Sequence, residues 1–498
     1  MRFPPLLSLL FALPAFSNPI GSAADDRPLV VSNQLRRLLT RSSLLRQADV
    51  LEYFSLLPGA NGNRAFGGIG HNATINWLFD TISALPEYTV SLQPFKAPYS
   101  ASTGTFLIDG ESDSLFYASR NSPNASGVRG RLAVAGGNRE GCNDADYETH
   151  GSVRQKIVLV KRGNCSYTAK SQLAGRKGAL GVVVYNDLPG TVLDGRLLDE
   201  KDIVPTGSIG NDYGLKLVER VSRGESIRAE LNIATLKEER LTYNVIAQTT
   251  SGDQKNVVVL GAHSDSVPLG PGINDNGSGT IALLEVLLNL KRFRTKNAIR
   301  FLWFAAEEYG LLGSNYYVNT LTREENYKIR MMLNFDMLAS PNYILGVYDG
   351  SGAAYNITGP AGSDRIQSVF EAFFKDVGKT SVPTAFTGRS DYGPFLRVGI
   401  PSGGLFTGAE GIKTEEEQNL FGGEVGEPYD ANYHQPGDAR KNVDREAWIT
   451  NAKAIADSVA VWGGGGLERF PNRREARWQA EWVKGSHGKM SGCGDGLY

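Results

Sequence analysis

The 498-residue chain is longer than one compact core supports, so two or three domains are expected. It is 41% hydrophobic and 21% charged with a net charge of −1, which gives no electrostatic ground for nucleic acid or an anionic membrane as partner. Its 58 glycines follow no Gly-X-Y period and indicate abundant turns rather than a collagen-like chain.

In chain order, Met1-Arg2 precedes the apolar stretch FPPLLSLLFALPAFS, which ends in small residues near Ala15 and Ser17. This pattern predicts a secretory signal peptide over 1–17 and a destination outside the cell or in the vacuole. Residues 18–40 are an N-terminal segment, a possible propeptide. No later run reaches about 18 uninterrupted apolar residues, so no membrane anchor is expected. Leucines at helical spacing predict a helix over 33–56, and GHNATINWLFDTISAL predicts another over 70–85, with Asn72 or Thr74 near its cap. YTVSLQPF reads as a strand.

From 116 to 240 the texture changes to short β runs, KIVLVKRG and LGVVVYND, separated by Gly, Pro and Asp turns around one short helix. This segment reads as a small β-rich domain inserted into a larger one. From 243 onward strands alternate with helices, the pattern of an α/β sheet. Strands are expected over 256–264, 297–308, 329–338 and 398–406, with helices over 279–293, 311–321 and 363–378. The α/β domain thus spans 41–115 and 241–466, and a polar tail follows over 467–498. Cys142 and Cys165 are close enough in sequence to pair in an oxidising compartment, leaving Cys493 over. Sequons at Asn72, Asn124, Asn164 and Asn356 are expected to carry glycan; a fifth sits at Asn276.

The chemistry-bearing residues fall at the strand ends, where sheets of this kind bind ligands. The first strand runs into GAHSDSVPLGPGINDNGSG, with His263 at its end, Asp265 two residues on and leaning to the same side, and Asp275 in the following Gly-rich loop. The second ends in Glu307-Glu308, the third in Asp336, and His434 lies in the later loop YDANYHQPGD. Taken singly, each has a plain reading: Asp275 as a turn residue, the two glutamates as a helix start, a histidine as a structural group. Together they put several acids at buried strand mouths where basic residues are absent, a costly arrangement without a cation. Two imidazoles with carboxylates suit Zn²⁺ better than Mn²⁺ or Co²⁺. Three acidic ligands exceed what one catalytic zinc takes, and one carboxylate bridging two metals uses them all.

These motifs resemble the di-zinc aminopeptidases of the aminopeptidase Y type. The likeness covers nearly the whole mature chain, through NRAFGGIGHNAT, the His263 loop, AAEEYGLLGS, NFDM and GRSDYGPF. The GC…DY and KRGNCSYTAK stretches of the insert look like a protease-associated domain. The resemblance implies a mixed, mainly parallel α/β sheet sandwiched by helices, two Zn²⁺ ions, and a monomer acting on peptides with a free N-terminus and a preference for apolar first residues. It implies His263 and Asp336 as ligands of one metal, Glu308 and His434 of the other, and Asp275 as the bridge. It implies Glu307 as general base, Asp265 as the group orienting His263, and Tyr433 as oxyanion donor. Arg389 in GRSD reads as a substrate-binding residue or equally as one half of a structural ion pair. On adjacent positions of extended backbone Glu307 and Glu308 point opposite ways, one free and one bound to metal. The family pattern C-Y-H-x-x-C-D is broken here, because Asn432 and Gly437 replace both cysteines. Asn276 lies inside the metal loop, where glycan is not expected. The rival readings are a carboxypeptidase or dipeptidase on the same scaffold, for which no basic cluster stands at these motifs, and a receptor-like relative that has lost its ligands.

Overall fold

The computed structural model describes residues 25–112, 115–148, 152–189, 192, 194–471 and 473. The expected signal peptide, His150, His487 and Cys493 lie outside them. In chain order the strands are β1 (Tyr88–Ile108), β2 (Phe116–Ala118), β3 (Ala125–Val134), β4 (Lys156–Lys161), β5 (Gly181–Tyr185), β6 (Thr206–Ile209), β7 (Arg228–Thr249), β8 (Asp253–His263), β9 (Asn297–Phe304), β10 (Ile329–Phe335), β11 (Gly346–Tyr348), β12 (Val382–Thr384) and β13 (Ser402–Phe406).

They join in one continuous sheet, ordered β12-β11-β13-β10-β8-β9-β7-β3-β4-β5-β6-β2, with β1 paired to β7. Strands β13, β10, β8 and β9 are parallel neighbours, as are β3, β4, β5 and β6. Between the two parallel blocks runs the long antiparallel ribbon β1/β7, in register from Tyr88↔Thr249 to Ile108↔Ala229. The inserted domain is therefore carried on a two-stranded arm that is itself part of the continuous sheet.

Strand β8 shows why the central strands read as unbroken apolar runs. Val257 and Val259 pack into the core on one face, and Val258 and Leu260 into the core on the other. Each such side chain contributes roughly 1.5–3 kcal/mol on burial. The first face is covered by the helices Leu312–Thr320 and Tyr392–Arg397. The second is covered by Gly279–Leu290, Ser363–Asp376 and Arg445–Gly464. The inserted domain buries its own apolar clusters on both faces of its sheet.

Several boundaries differ from the sequence reading. The helix expected over 33–56 is two, Ser32–Leu38 and Arg41–Ser55. Thr40 divides them because its hydroxyl accepts from the Ser43 N–H and starts a new helix. The next helix, Ile69–Ser83, begins at Gly68, so neither Asn72 nor Thr74 caps it. Val30, Leu35 and Leu39, within the possible propeptide, are buried in the core of the α/β domain. At the other end Leu467 and Phe470 join the same core, and the buried Arg473 guanidinium donates to the carbonyls of Gly399, Asn326 and Ile329. The packed domain thus extends past 466.

Candidate metal centre and active site

The ends of β8, β9 and β10 lie side by side, and each delivers a part of the site. His263 is the last residue of β8, and Asp336 follows β10 directly. Beyond β9 the chain does not stay extended. Ala306 is in the left-handed region at φ 59°, and Glu307–Tyr309 form a single 3₁₀ turn. The divergence of Glu307 and Glu308 therefore comes from the rotation of a tight turn, not from the alternation of a strand. The Glu307 N–H donates to Asp265 Oδ1 at 3.1 Å, which pins the turn to the end of β8.

Asp275 stands at the centre. Its Oδ1 is 3.2 Å from His263 Nε2, and its Oδ2 is 3.1 Å from His434 Nε2. His263 Nε2 is also 3.3 Å from Asp336 Oδ1, and His434 Nε2 is 3.1 Å from Glu308 Oε2. Two clusters result, His263–Asp275–Asp336 and Asp275–Glu308–His434, all buried and sharing one carboxylate. Corners of a tetrahedron around a zinc with bonds of about 2.0–2.1 Å lie about 3.3 Å apart, so these spacings fit one ion in each cluster. Asp336 Oδ1 and Glu308 Oε1 are buried acceptors with no hydrogen-bond donor, as metal ligands would be.

The electrostatics point the same way. Burial disfavours charge on both imidazoles, yet the carboxylates around them outweigh it and push both well above the usual range: Asp336 and Glu307 at His263, Glu308 and Asp275 at His434. Burial also drives Glu307 well above the carboxylate range, helped by Asp391, Glu308 and Asp336 against the opposing His263. Protons held on these groups occupy the place of cations, with which they compete.

The supporting contacts refine several assignments. Asp265 meets His263 Nδ1 through its backbone carbonyl at 3.2 Å, while its carboxylate oxygen is 3.7 Å away and is engaged by the Glu307 N–H. Ser390 donates to Asp336 Oδ2 at 2.6 Å. Tyr433 stacks on His434 with ring centres 3.8 Å apart. Arg389 donates to Glu410 at 2.8 Å and to the Tyr433 hydroxyl at 3.2 Å, so it is both half of an ion pair and a neighbour of the expected oxyanion donor. A cavity of about 300 Å³ opens over Asp275, Glu307, Glu308 and Asp336, and its wall includes Tyr433, Arg389 and, from the inserted domain, Arg162 and Leu188.

Basic residues, which the strand-end motifs themselves lack, stand in the cavity wall and also beneath the strand mouths. Arg64 is fully buried and donates to the carbonyls of Ser264, Pro271 and Gly272, clamping the loop between His263 and Asp275. Its stretch NRAF carries no local sign of this role. His71, also fully buried, accepts from the Gly67 N–H and meets Ser264 Oγ at 2.9 Å, and Ser264 donates on to the Phe304 carbonyl.

The loop of His434 is held by polar contacts at the positions where the resembling family carries cysteines. Asn432 donates to Asn442, which donates to both oxygens of Asp430, and Asn274 donates to Asp430 as well. Asp438 accepts from the N–H groups of Asn274 and Asp275, tying this loop to the residue shared by the two clusters. Asn276 is buried and donates to the Phe335 carbonyl, whereas Asn72, Asn124, Asn164 and Asn356 are exposed. Cys142 and Cys165 form a disulfide.

Comparison with known proteins agrees with this geometry. Residues 244–459 match the profile of peptidase family M28, and residues 128–217 that of the PA domain. Leucine aminopeptidase 2 of Trichophyton equinum is 44% identical over 497 residues, covering 99% of this chain and 98% of the relative. The probable leucine aminopeptidase 2 of Aspergillus fumigatus is 43% identical over 466 residues, covering 93% and 91%. Among solved structures, an aminopeptidase from Aneurinibacillus sp. strain AM-1 aligns at TM-score 0.67 and 25% identity, covering 87% of this chain and 96% of that one. BSAP, a zinc aminopeptidase from Bacillus subtilis, aligns at TM-score 0.64 and 26% identity, covering 85% and 96%. The chain belongs to peptidase family M28, as a zinc-dependent metallo-aminopeptidase with an inserted PA domain.

Proposed function

We propose that the chain removes apolar residues such as leucine from the N-termini of peptides, using two zinc ions held by His263 and Asp336 on one side, Glu308 and His434 on the other, and Asp275 between them. The observation that carries this reading is the division of Asp275, one oxygen toward each histidine. When bound, such a pair of metals supplies Lewis acidity and a water acidified to near neutrality. Glu307, buried and lining the cavity without belonging to either ligand cluster, accepts a proton from the attacking water and returns it to the leaving amine. The surrounding carboxylates favour a free, positively charged α-amino group beside them in the cavity. Tyr433, stacked on His434 and touched by Arg389, is placed to donate to the developing oxyanion. Asp265 holds His263 through its carbonyl and the Glu307 turn through its carboxylate, so one residue sets the orientation of ligand and base together.

Of the two guanidiniums of the cleft wall, Arg389 pairs with Glu410 at 2.8 Å and Arg162 with Asp187 at 3.5 Å and Glu410 at 3.7 Å, so two carboxylates face the two cations and neither stands as an unneutralised receptor for a terminal carboxylate. The signal-like N-terminal sequence, the exposed sequons and the disulfide support a glycoprotein of the secretory pathway, secreted or vacuolar. The test is zinc content together with cleavage of leucyl-p-nitroanilide, with and without chelator, and of matched peptides with free and acetylated N-termini. Two zinc ions per chain, chelator-sensitive turnover and rejection of acetylated peptides are expected. A zinc-saturated protein that cleaves neither peptide, or that prefers the acetylated one, would overturn the reading.

A further inference from the structure

The two halves of the metal centre are supported from different places. His263 and Asp336 are held by the catalytic domain: Thr280 donates to the His263 carbonyl at 2.6 Å, the Asp265 carbonyl meets its Nδ1, and Ser390 grips Asp336. Glu308 and His434 sit on a turn and a loop that the inserted domain grasps. Arg120 reaches across from the inserted domain and donates to the Glu308 carbonyl at 2.7 Å. Its other face pairs with Asp194 at 2.9 Å, the two side chains being 3% and 5% exposed, and its guanidinium lies 4.9 Å from the centre of the Tyr309 ring. Arg196 donates to the next carbonyl, that of Tyr309, at 2.7 Å. On the His434 side, the Tyr117 hydroxyl donates to Gln435 Oε1 at 3.0 Å, and Gln435 Nε2 donates to the Val192 carbonyl at 2.6 Å. These gripping residues come from two segments joined through their backbones, Arg120 N–H to the Gly195 carbonyl and Leu197 N–H to the Arg120 carbonyl. One piece of the inserted domain thus reaches the backbone of the Glu308 turn and the side chain of Gln435, the residue after His434, beside both ligands that only the second metal uses.

We propose that the inserted domain is a positioning element of the second metal site. By fixing the Glu308 turn and the His434 loop against each other, it sets the affinity of that ion and leaves the His263–Asp336 site to the catalytic domain. Arg120 is its central positioning residue. By linkage, binding of the second ion tightens docking of the inserted domain to the same degree. The proposal rests on the two-metal reading above. Outer partners of metal ligands are worth about 10–100-fold in metal affinity, which sets the size of the effect.

The experiment uses the full chain with Arg120→Met combined with Asp194→Asn, so that neither buried charge is left alone, and separately Tyr117→Phe, which removes one hydroxyl. Zinc affinities are read by chelator competition, and hydrogen exchange is followed in the metal-free proteins. The expected result is one ion at wild-type affinity and the other weakened about 10–100-fold in the double variant, less in Tyr117→Phe. In the metal-free double variant, exchange should quicken at 307–311 and 430–438 and stay unchanged at 263–265 and 333–340. Equal weakening of both ions, or wild-type affinities with unchanged exchange, would overturn the proposal. A wild-type protein that binds a single zinc would instead sink the two-metal reading, and the exchange pattern would then decide the grip by itself. Should the double variant fail to fold, Tyr117→Phe and Arg196→Met decide on the same two readouts.

Discussion

Glu307 and Asp275 are both buried carboxylates lining one cavity, yet their neighbours fit them for opposite duties. Asp275 spends both oxygens on the two histidines, so Asp275→Ala should leave neither cluster complete. Zinc content after dialysis should fall close to zero, and retention of normal zinc would remove Asp275 from the bridge. Glu307 lines the cavity and its own N–H is fixed by Asp265, so Glu307→Gln keeps the turn and the metal sites. Turnover should drop by about 10²–10⁴-fold with zinc content unchanged, the usual range for loss of a general acid–base. A near-normal kcat in that variant would assign proton transfer elsewhere.

A residue that carries no metal still titrates with consequence. Burial lowers the pKa of His71 from 6.5 to about 4, with Asp265 opposing and Arg64 and His263 assisting. A depressed histidine is neutral when folded, so the unfolded chain binds the extra proton as pH falls through 6.5. Stability therefore declines between pH 6.5 and 4 and levels off below, by about 3 kcal/mol in all from this group. Denaturant melts of the chelator-treated protein across that window check this, and His71→Asn should flatten the slope even where it lowers stability overall. An equally steep slope in the variant would show that other groups govern acid lability.

At the scale of elements, the His434 loop shows how one staple can replace another. A Cβ added to Gly437 would lie 2.0 Å from Asn432 Oδ1, so the Asn432 amide packs over the glycine where the resembling family joins two cysteines. Gly437→Ala alone collides with that amide and should weaken zinc binding. Asn432→Cys with Gly437→Cys removes the collision and should form a bridge, detected as the loss of two hydrogens by mass and restoring zinc retention relative to Gly437→Ala. Failure to oxidise would mean that the two backbones are set wrongly for a disulfide. Because Asp430, Asn432 and Asn442 already connect this loop to Asn274, the neighbour of Asp275, zinc retention by the natural sequence should be indifferent to reductant at that loop.

At the scale of the molecule, the N-terminal segment is part of the fold. Leu29 bridges to Arg294, and Val30, Leu35 and Leu39 fill the core beside the helix Arg445–Gly464. A chain beginning at residue 41 gives up three buried apolar side chains, each worth roughly 1.5–3 kcal/mol, and should be markedly destabilised. A chain beginning at residue 25 retains them. Thermal melts of the two truncations compare them directly, and equal stability would mean that the segment is a removable propeptide after all.

The sequence by itself determined the α/β class, the inserted β-rich domain and the strand ends that bear the site. These follow from local facts: unbroken apolar runs for strands buried on both faces, turn residues between short β runs, and acids or imidazoles where such runs stop. It also announced the ligand candidates, because several carboxylates at buried strand mouths are intelligible only with a cation nearby. It did not announce the 3₁₀ turn that parts Glu307 from Glu308, since that turn depends on a left-handed Ala306 that no residue preference signals. Nor could it show Arg64 under the metal loop or Arg120 behind Glu308, partners about 200 positions apart whose bonds run to backbone carbonyls. A carbonyl is the same in every residue, so a contact made to one leaves no trace in the sequence. Only the tertiary structure, by packing the NRAF stretch beneath the loop after His263 and the inserted domain against the Glu308 turn, decided which carbonyls those arginines would meet.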